Sequence, residues 1–179
     1  MNTSCIVCGS PGSGKSTYAR QLAATRHATL LDIDTVTERL IRLALVQSGN
    51  SQDDRDSAYF KQTYRLPVYE TLFDIARENL EFQDVVIAGP FTKEIRDPCW
   101  PAKLERSLGS LVEVHYVQCP QEIRRHRLVC RGDARDLAKL GDWESYIRYY
   151  GDERPPAFDH VSVDGSKPLV SDRTSPSAT

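Results

Sequence analysis

No stretch of this chain approaches the ~20 consecutive apolar residues of a membrane-spanning helix. No sign of charge dominates either: 23 Lys and Arg stand against 25 Asp and Glu, a net charge of −2. A global basic field that would hold nucleic acid or an anionic membrane is therefore missing, although a local basic groove is compatible with a neutral protein. Metal-ligand spacing is scarce. Cys5 and Cys8 form C-x-x-C, but no second ligand pair follows at suitable spacing, and both lie in the apolar run Cys5-Ile6-Val7-Cys8. They read as buried strand residues, not as a zinc or redox pair. The cysteines number five, an odd count with no secretory leader, which predicts a reducing, cytoplasmic setting. No internal repeat and no second core are visible.

What is present is an alternation. A chain of 179 residues is long enough for one domain with a proper core and a small lid. Apolar runs at residues 4–8, 29–33, 85–88, 111–119 and 160–163 predict five strands. Helical patterns fall at 15–24, 35–48, 57–82, 121–131 and 143–150. In the second of these, Val36, Leu40, Leu43 and Val46 recur at near-helical spacing, and Gly49-Asn50 ends the pattern. Pro67 predicts a break or kink in the third, and Pro98 and Pro101 predict a broken helix over 93–108. Residues 132–142 read as a polar loop. Strands alternating with helices imply an α/β fold with a parallel five-stranded sheet and helices on both faces. Residues 1–165 are expected to form the domain and 166–179 a flexible tail, rich in Ser, Thr and Pro.

The strongest signal lies between the first strand and the first helix. Gly9-Ser10-Pro11-Gly12-Ser13-Gly14-Lys15-Ser16 fits G-x-x-x-x-G-K-[ST] at every fixed position, and Thr17 follows. Glycines let the backbone curl its amide hydrogens around a phosphate, and the helix adds its positive N-terminal end. Gly12, Ser13, Gly14, Lys15, Ser16 and Thr17 are thus the predicted nucleotide cradle. Lys15 supplies a cation for the β- and γ-phosphates of ATP, and the Ser16 hydroxyl is a Mg²⁺ ligand.

Downstream residues narrow the class. A base-reading N-K-x-D of GTPases is missing, and the third strand ends Val85-Val86-Ile87-Ala88-Gly89-Pro90 without a carboxylate, unlike ATP-driven motors. The chain resembles the small P-loop kinases related to nucleoside monophosphate kinases. That group includes polynucleotide 5′-hydroxyl kinase, chloramphenicol phosphotransferase, zeta toxin and gluconate kinase. Four stretches carry the resemblance: GSPGSGKSTYAR at 9–20, Asp32-Ile33-Asp34, Gly89-Pro90-Phe91-Thr92, and the arginine helix after Cys119-Pro120. It implies a P-loop NTPase three-layer sandwich whose lid, about residues 131–142, closes on ATP.

The resemblance also implies roles. Asp34 matches the aspartate just before the second helix that accepts the proton of the attacking hydroxyl, and Asp32 would hold a Mg²⁺ water or orient the substrate. Alternatively, Asp34 N-caps a helix beginning at Thr35. The related kinases often place an arginine a turn after this aspartate; Thr37 and Glu38 stand there instead. Arg124, Arg127 and Arg131 share one helix face, and Arg135 follows. Arg131 and then Arg127 are the first choices for a phosphate contact, against a plain solvated basic face. Gly132 and Gly141 would be hinges. Phe91, Thr92 and Arg96 could line an acceptor pocket or form only a turn, and Trp100 and Trp143 read as packing residues.

The expected activity is transfer of the γ-phosphoryl group of ATP to a hydroxyl of a small molecule such as a nucleoside, sugar or antibiotic. Two other readings stand beside it: a polynucleotide 5′-hydroxyl kinase, for which Arg39, Arg42, Lys61 and Arg65 could form a groove, and a regulatory module with slow ATP hydrolysis.

Overall fold

The computed structural model describes residues 2–55, 57–150 and 154–167. Five parallel strands form one sheet: β1 (Thr3–Cys8), β2 (Thr29–Asp32), β3 (Val85–Ala88), β4 (Leu111–Gln118) and β5 (Val161–Asp164). Their order is β2-β3-β1-β4-β5, so β1 is central. Period-two alternation divides the sheet between two cores. Cys5, Val7, Val86, Ala88 and Val117 face helix α1 (Lys15–Arg26) through Ala19 and Ala23. Ile6, Cys8, Val85, Ile87, Val114 and Tyr116 face the opposite layer. That layer contains α2 (Ile33–Gln47), α4 (Arg65–Asn79) and α5 (Trp100–Leu108), with the short α3 (Ala58–Thr63) before α4. The three-layer α/β sandwich expected from the alternation is thus the fold. Three residues apart on one strand, Cys5 and Cys8 belong to different cores and cannot act as a pair.

Several local expectations are corrected. Strand β2 stops at Asp32 and α2 begins at Ile33, so Asp34 lies inside the first turn and not ahead of the helix. The α2 core face consists of Ile33, Thr37, Ile41 and Leu45. Leu40, Leu43 and Val46 are instead 72%, 56% and 54% exposed. Both stripes fit a 3.6-residue period, and only the position of the sheet selects between them. The 57–82 region breaks at Tyr64, ahead of Pro67. Pro67 occupies the first turn of α4, where a missing amide hydrogen costs no helical bond. Residues 132–142 hold a 3₁₀ turn at Ala134–Asp136 and the helix α7 (Leu137–Gly141), between α6 (Gln121–Arg131) and α8 (Trp143–Tyr150). Residues 168–179, expected as a tail, lie outside the described residues.

Candidate active site

Ligands of open α/β sheets bind beyond the carboxyl ends of the strands. Here that edge carries the loop between β1 and α1. Gly12 and Gly14 adopt φ of +80° and +96°, which L side chains resist. A Cβ on Gly12 would also lie 2.8 Å from the Arg124 carbonyl oxygen of α6. Gly14 is the N-cap of α1, and the first turn of α1 contains no acidic side chain. The positive helix end and its first amides are therefore uncompensated from within the helix. The Ser13 hydroxyl is buried without a hydrogen-bond partner among the described residues.

A cavity of about 200 Å³ opens beside this loop. Pro11 lines it from the loop, Lys15 and Ser16 from the first turn of α1, Asp32 and Asp34 from the β2–α2 junction, and Gly89, Pro90 and Thr92 from beyond the end of β3. Arg131, Asp136 and Lys139 line it from the α6–α7 region. Arg55, Phe60, Lys61, Arg65, Val68 and Tyr69 line it from the α2–α3 link, α3 and α4.

The two aspartates divide their geometry unexpectedly. Asp32, nearly buried, is the N-cap of α2 and accepts the Asp34 amide at 3.0 Å. Asp34 is therefore not the cap. Its half-exposed carboxylate meets Arg55 Nη1 at 3.1 Å. The same guanidinium reaches Glu38 at 2.6 Å and the Thr37 hydroxyl at 3.1 Å, with its carbon 5.5 Å from the Phe60 ring centre. An arginine thus does attend Asp34, but it comes from the link between α2 and α3. Nothing local in the sequence signals it, because the contact spans 21 residues.

The arginines of α6 separate. Arg131 faces the cavity, and its Nε donates to Asp136 Oδ2 at 2.9 Å. Lys139 lies 3.7 Å from the other Asp136 oxygen. Asp136 is only 1% exposed, so it acts as a buried anchor for two cavity cations. Asp136 and Lys139 escape a reading of this segment as loop. Arg127 does not line the cavity. Its Nη1 donates to the carbonyls of Gly12 and Ser13, each at 3.3 Å, and to that of Gly165 at 2.8 Å. Arg124 is 2% exposed and donates from Nε to the Cys119 carbonyl at 3.0 Å, so it does not belong to a solvated face. The Arg135 side chain is outside the described residues.

Thr92 lines the cavity, whereas Phe91 is fully buried at φ +43° against Tyr69, Phe73 and Trp100. Trp100 is a core residue, and Trp143 packs on Tyr146 with ring centres 5.3 Å apart. Of the candidate groove cations, Lys61 and Arg65 reach the cavity. Arg42 is held by Glu38 and Asp53, and Arg39 points to solvent. Far from this edge, Cys5, Glu113 and His115 bring ligand atoms within 4.8 Å of one another. Arg26 already supplies the cation there, 2.7 Å from Glu113 and 3.0 Å from the Cys5 sulfur.

A family model described as an AAA domain matches residues 5–152, including the whole phosphate loop, most of β1 and the strands β2 to β4. The chain belongs to this AAA domain family. Among solved structures, the fold of this AAA domain is similar to that of a sugar kinase from a Janibacter species. The TM-score is 0.57 and the identity 18%, over 94% of this chain and 88% of that one. A gluconokinase from Sinorhizobium meliloti gives 0.53 and 17%, over 94% and 85%. Shikimate kinase from Acinetobacter baumannii gives 0.50 and 16%, over 94% and 86%. The AAA domain thus shares the fold of the small P-loop kinases. None of the curated proteins matches it, and none of its helices, among the described residues, is long and apolar enough to cross a membrane.

Proposed function

We propose that this AAA domain is an ATP-dependent kinase that transfers the γ-phosphoryl group to a hydroxyl of a small molecule. One observation carries this reading: residues of the phosphate loop and the α1 start, Asp34, and side chains of α3 and α4 line a single cavity. A module that only binds nucleotide has no use for those α3 and α4 side chains. A polynucleotide groove would need a longer row of cations, and Arg39 and Arg42 are not in the cavity.

In this reading the loop amides and Lys15 hold the β- and γ-phosphates. Ser16 and Asp32 are hard oxygen donors that line the same cavity, a set that fits Mg²⁺, and they would hold it. Bound Mg²⁺ would neutralise phosphate charge. Asp34 accepts the hydroxyl proton as the acceptor oxygen bonds to the γ-phosphorus and the bond to the bridging oxygen of ADP breaks. Arg131 and Lys139, anchored on Asp136, stabilise the charge of the moving group. Residues 1–165 act as one kinase domain, with 131–142 as its lid.

The test is ADP release from ATP and Mg²⁺ across nucleosides, sugars, sugar acids, aminoglycoside-like antibiotics and 5′-hydroxyl oligonucleotides. Acceptor-dependent turnover that collapses in Asp34→Asn supports the reading. Slow hydrolysis that ignores every acceptor and survives Asp34→Asn refutes it.

A further inference from the structure

We infer that the acceptor carries an anionic group, a carboxylate or a phosphate, which Arg65 and Lys61 bind in the cavity that Lys15 also lines. This inference rests on the kinase reading and names the substrate class. On the acceptor side the cavity is lined by three cations, Arg55, Lys61 and Arg65, against one carboxylate, Asp34. Arg55 is held by Asp34 at 3.1 Å and by Glu38 at 2.6 Å, and Lys61 and Arg65 line the same cavity.

Arg65 is built in rather than trailing in solvent. Its side chain is 20% exposed, its Nη2 donates to Glu94 at 2.7 Å, and its carbon lies 4.7 Å above the Tyr69 ring centre. Glu94 does not line the cavity and Arg65 does, so the carboxylate holds the guanidinium from behind. A guanidinium carries five N–H donors in a fixed fork. With Glu94 on Nη2 and an aromatic ring on one face, that fork is pre-oriented for a planar carboxylate or a phosphate. Phe60, Val68 and Tyr69 supply apolar lining to the same cavity. Such a lining lowers the local dielectric and strengthens cation–anion attraction.

Size limits the acceptor further. A cavity of about 200 Å³ lies below the ~300–1,000 Å³ typical of pockets for drug-sized ligands. A compact hydroxy acid or a small hydroxylated phosphate ester fits this limit.

The test uses matched pairs that differ in the anionic group: gluconate with glucose, glycerate with glycerol, and glycerol 3-phosphate with glycerol. Binding is measured by calorimetry on the full chain saturated with Mg²⁺ and a non-hydrolysable ATP analogue, so the phosphate loop is occupied. At least one anionic member should bind about 100-fold or more tightly than its neutral partner. Arg65→Gln and Lys61→Gln should each reduce that preference about tenfold or more, while Arg39→Gln, outside the cavity, keeps it. The glycerate and glycerol phosphate arms distinguish a carboxylate from a phosphate. The inference is overturned if no pair shows the preference, if Arg65→Gln retains it, or if a 5′-hydroxyl oligonucleotide binds more tightly than every anionic member. The same pairs are then assayed for phosphate transfer. An anion preference in binding with no transfer to any acceptor defeats the kinase reading and leaves the anion site standing. Transfer without the preference does the reverse.

Discussion

Asp32 and Asp34 stand two residues apart and are prepared for different tasks. Asp32 is tied to the start of α2, whereas Asp34 is half-exposed at the cavity and touched by a cation. Asp34→Asn should therefore lower acceptor turnover by about 10²–10⁴-fold, the usual weight of a general base, with little change in ATP affinity by calorimetry. If instead Asp32→Asn abolishes turnover and Asp34→Asn does not, the base is misassigned. A similar division separates Arg127 from Arg131. Arg127 fastens three carbonyls of the phosphate loop and the β5 turn. Its replacement by Ala should cost roughly 2 kcal/mol of stability, read by urea unfolding, because charged hydrogen bonds are lost and their acceptors stranded. Arg131→Ala should slow single-turnover transfer, and it should also cost stability, because it leaves the buried Asp136 carboxylate to Lys139 alone. Equal effects of the two variants in both assays would remove this distinction.

At the scale of the element, α2 is the instructive case. The stripe Leu40, Leu43 and Val46 and the stripe Ile41 and Leu45 are equally apolar, and the second packs on the sheet. Leu45→Ala should cost about 2–5 kcal/mol, the price of a core cavity. Leu43→Gln on the exposed side should stay within about 0.5 kcal/mol. Chemical denaturation of both variants decides; a large loss from Leu43→Gln would mean that this face is covered in solution. Pro67 behaves similarly. Its ring forbids a helix interior, yet the chain breaks one turn earlier, at Tyr64, so that the proline falls where its missing donor costs least. That break lets α3 and α4 bring Phe60, Lys61, Arg65 and Tyr69 to one cavity.

For the whole molecule, the carboxyl edge of the sheet gathers residues from distant parts of the chain, and the opposite demands of packing are met there. Gly165, after β5, sits so close to the phosphate loop that a Cβ would collide with the Ser13 carbonyl oxygen and lie 3.0 Å from that of Gln118. The loop is thus clamped by the far end of the sequence. A second network, away from this edge, joins β4 to α1. His115 Nδ1 bonds the Tyr18 hydroxyl at 2.8 Å, and Nε2 lies 3.2 Å from Glu113, which Arg26 also pairs. Burial lowers the His115 pKa below its ordinary 6.5, with Glu113 partly opposing and Arg26 assisting. A lowered folded pKa means that the unfolded chain takes up the proton first. The associated stability is present above about pH 6.5 and is lost as pH falls through the folded value. Melting temperatures between about pH 7.5 and 5 should fall on the acid side, and His115→Gln should flatten that fall. An unchanged slope in the variant would place the titration elsewhere.

The phosphate loop was legible in the sequence because its chemistry is local: eight successive residues dictate the turn, the left-handed glycines and the helix that follows. The same holds for the alternation of strands and helices, and so for the parallel sheet, since periodicity and breakers act over a few residues. Only the tertiary structure decided which stripe of α2 is core, because two stripes satisfied the same period. Only it could bring Arg55 to Asp34 across 21 residues, set Asp136 beneath Arg131 and Lys139, and turn Arg127 to the back of the loop. Arg55 and Arg127 find partners chosen by where the sheet places its carboxyl edge, and such long-range pairing leaves no spacing to read; Asp136 lies within five residues of Arg131 and Lys139, but a segment read as loop gave no face on which to pair them.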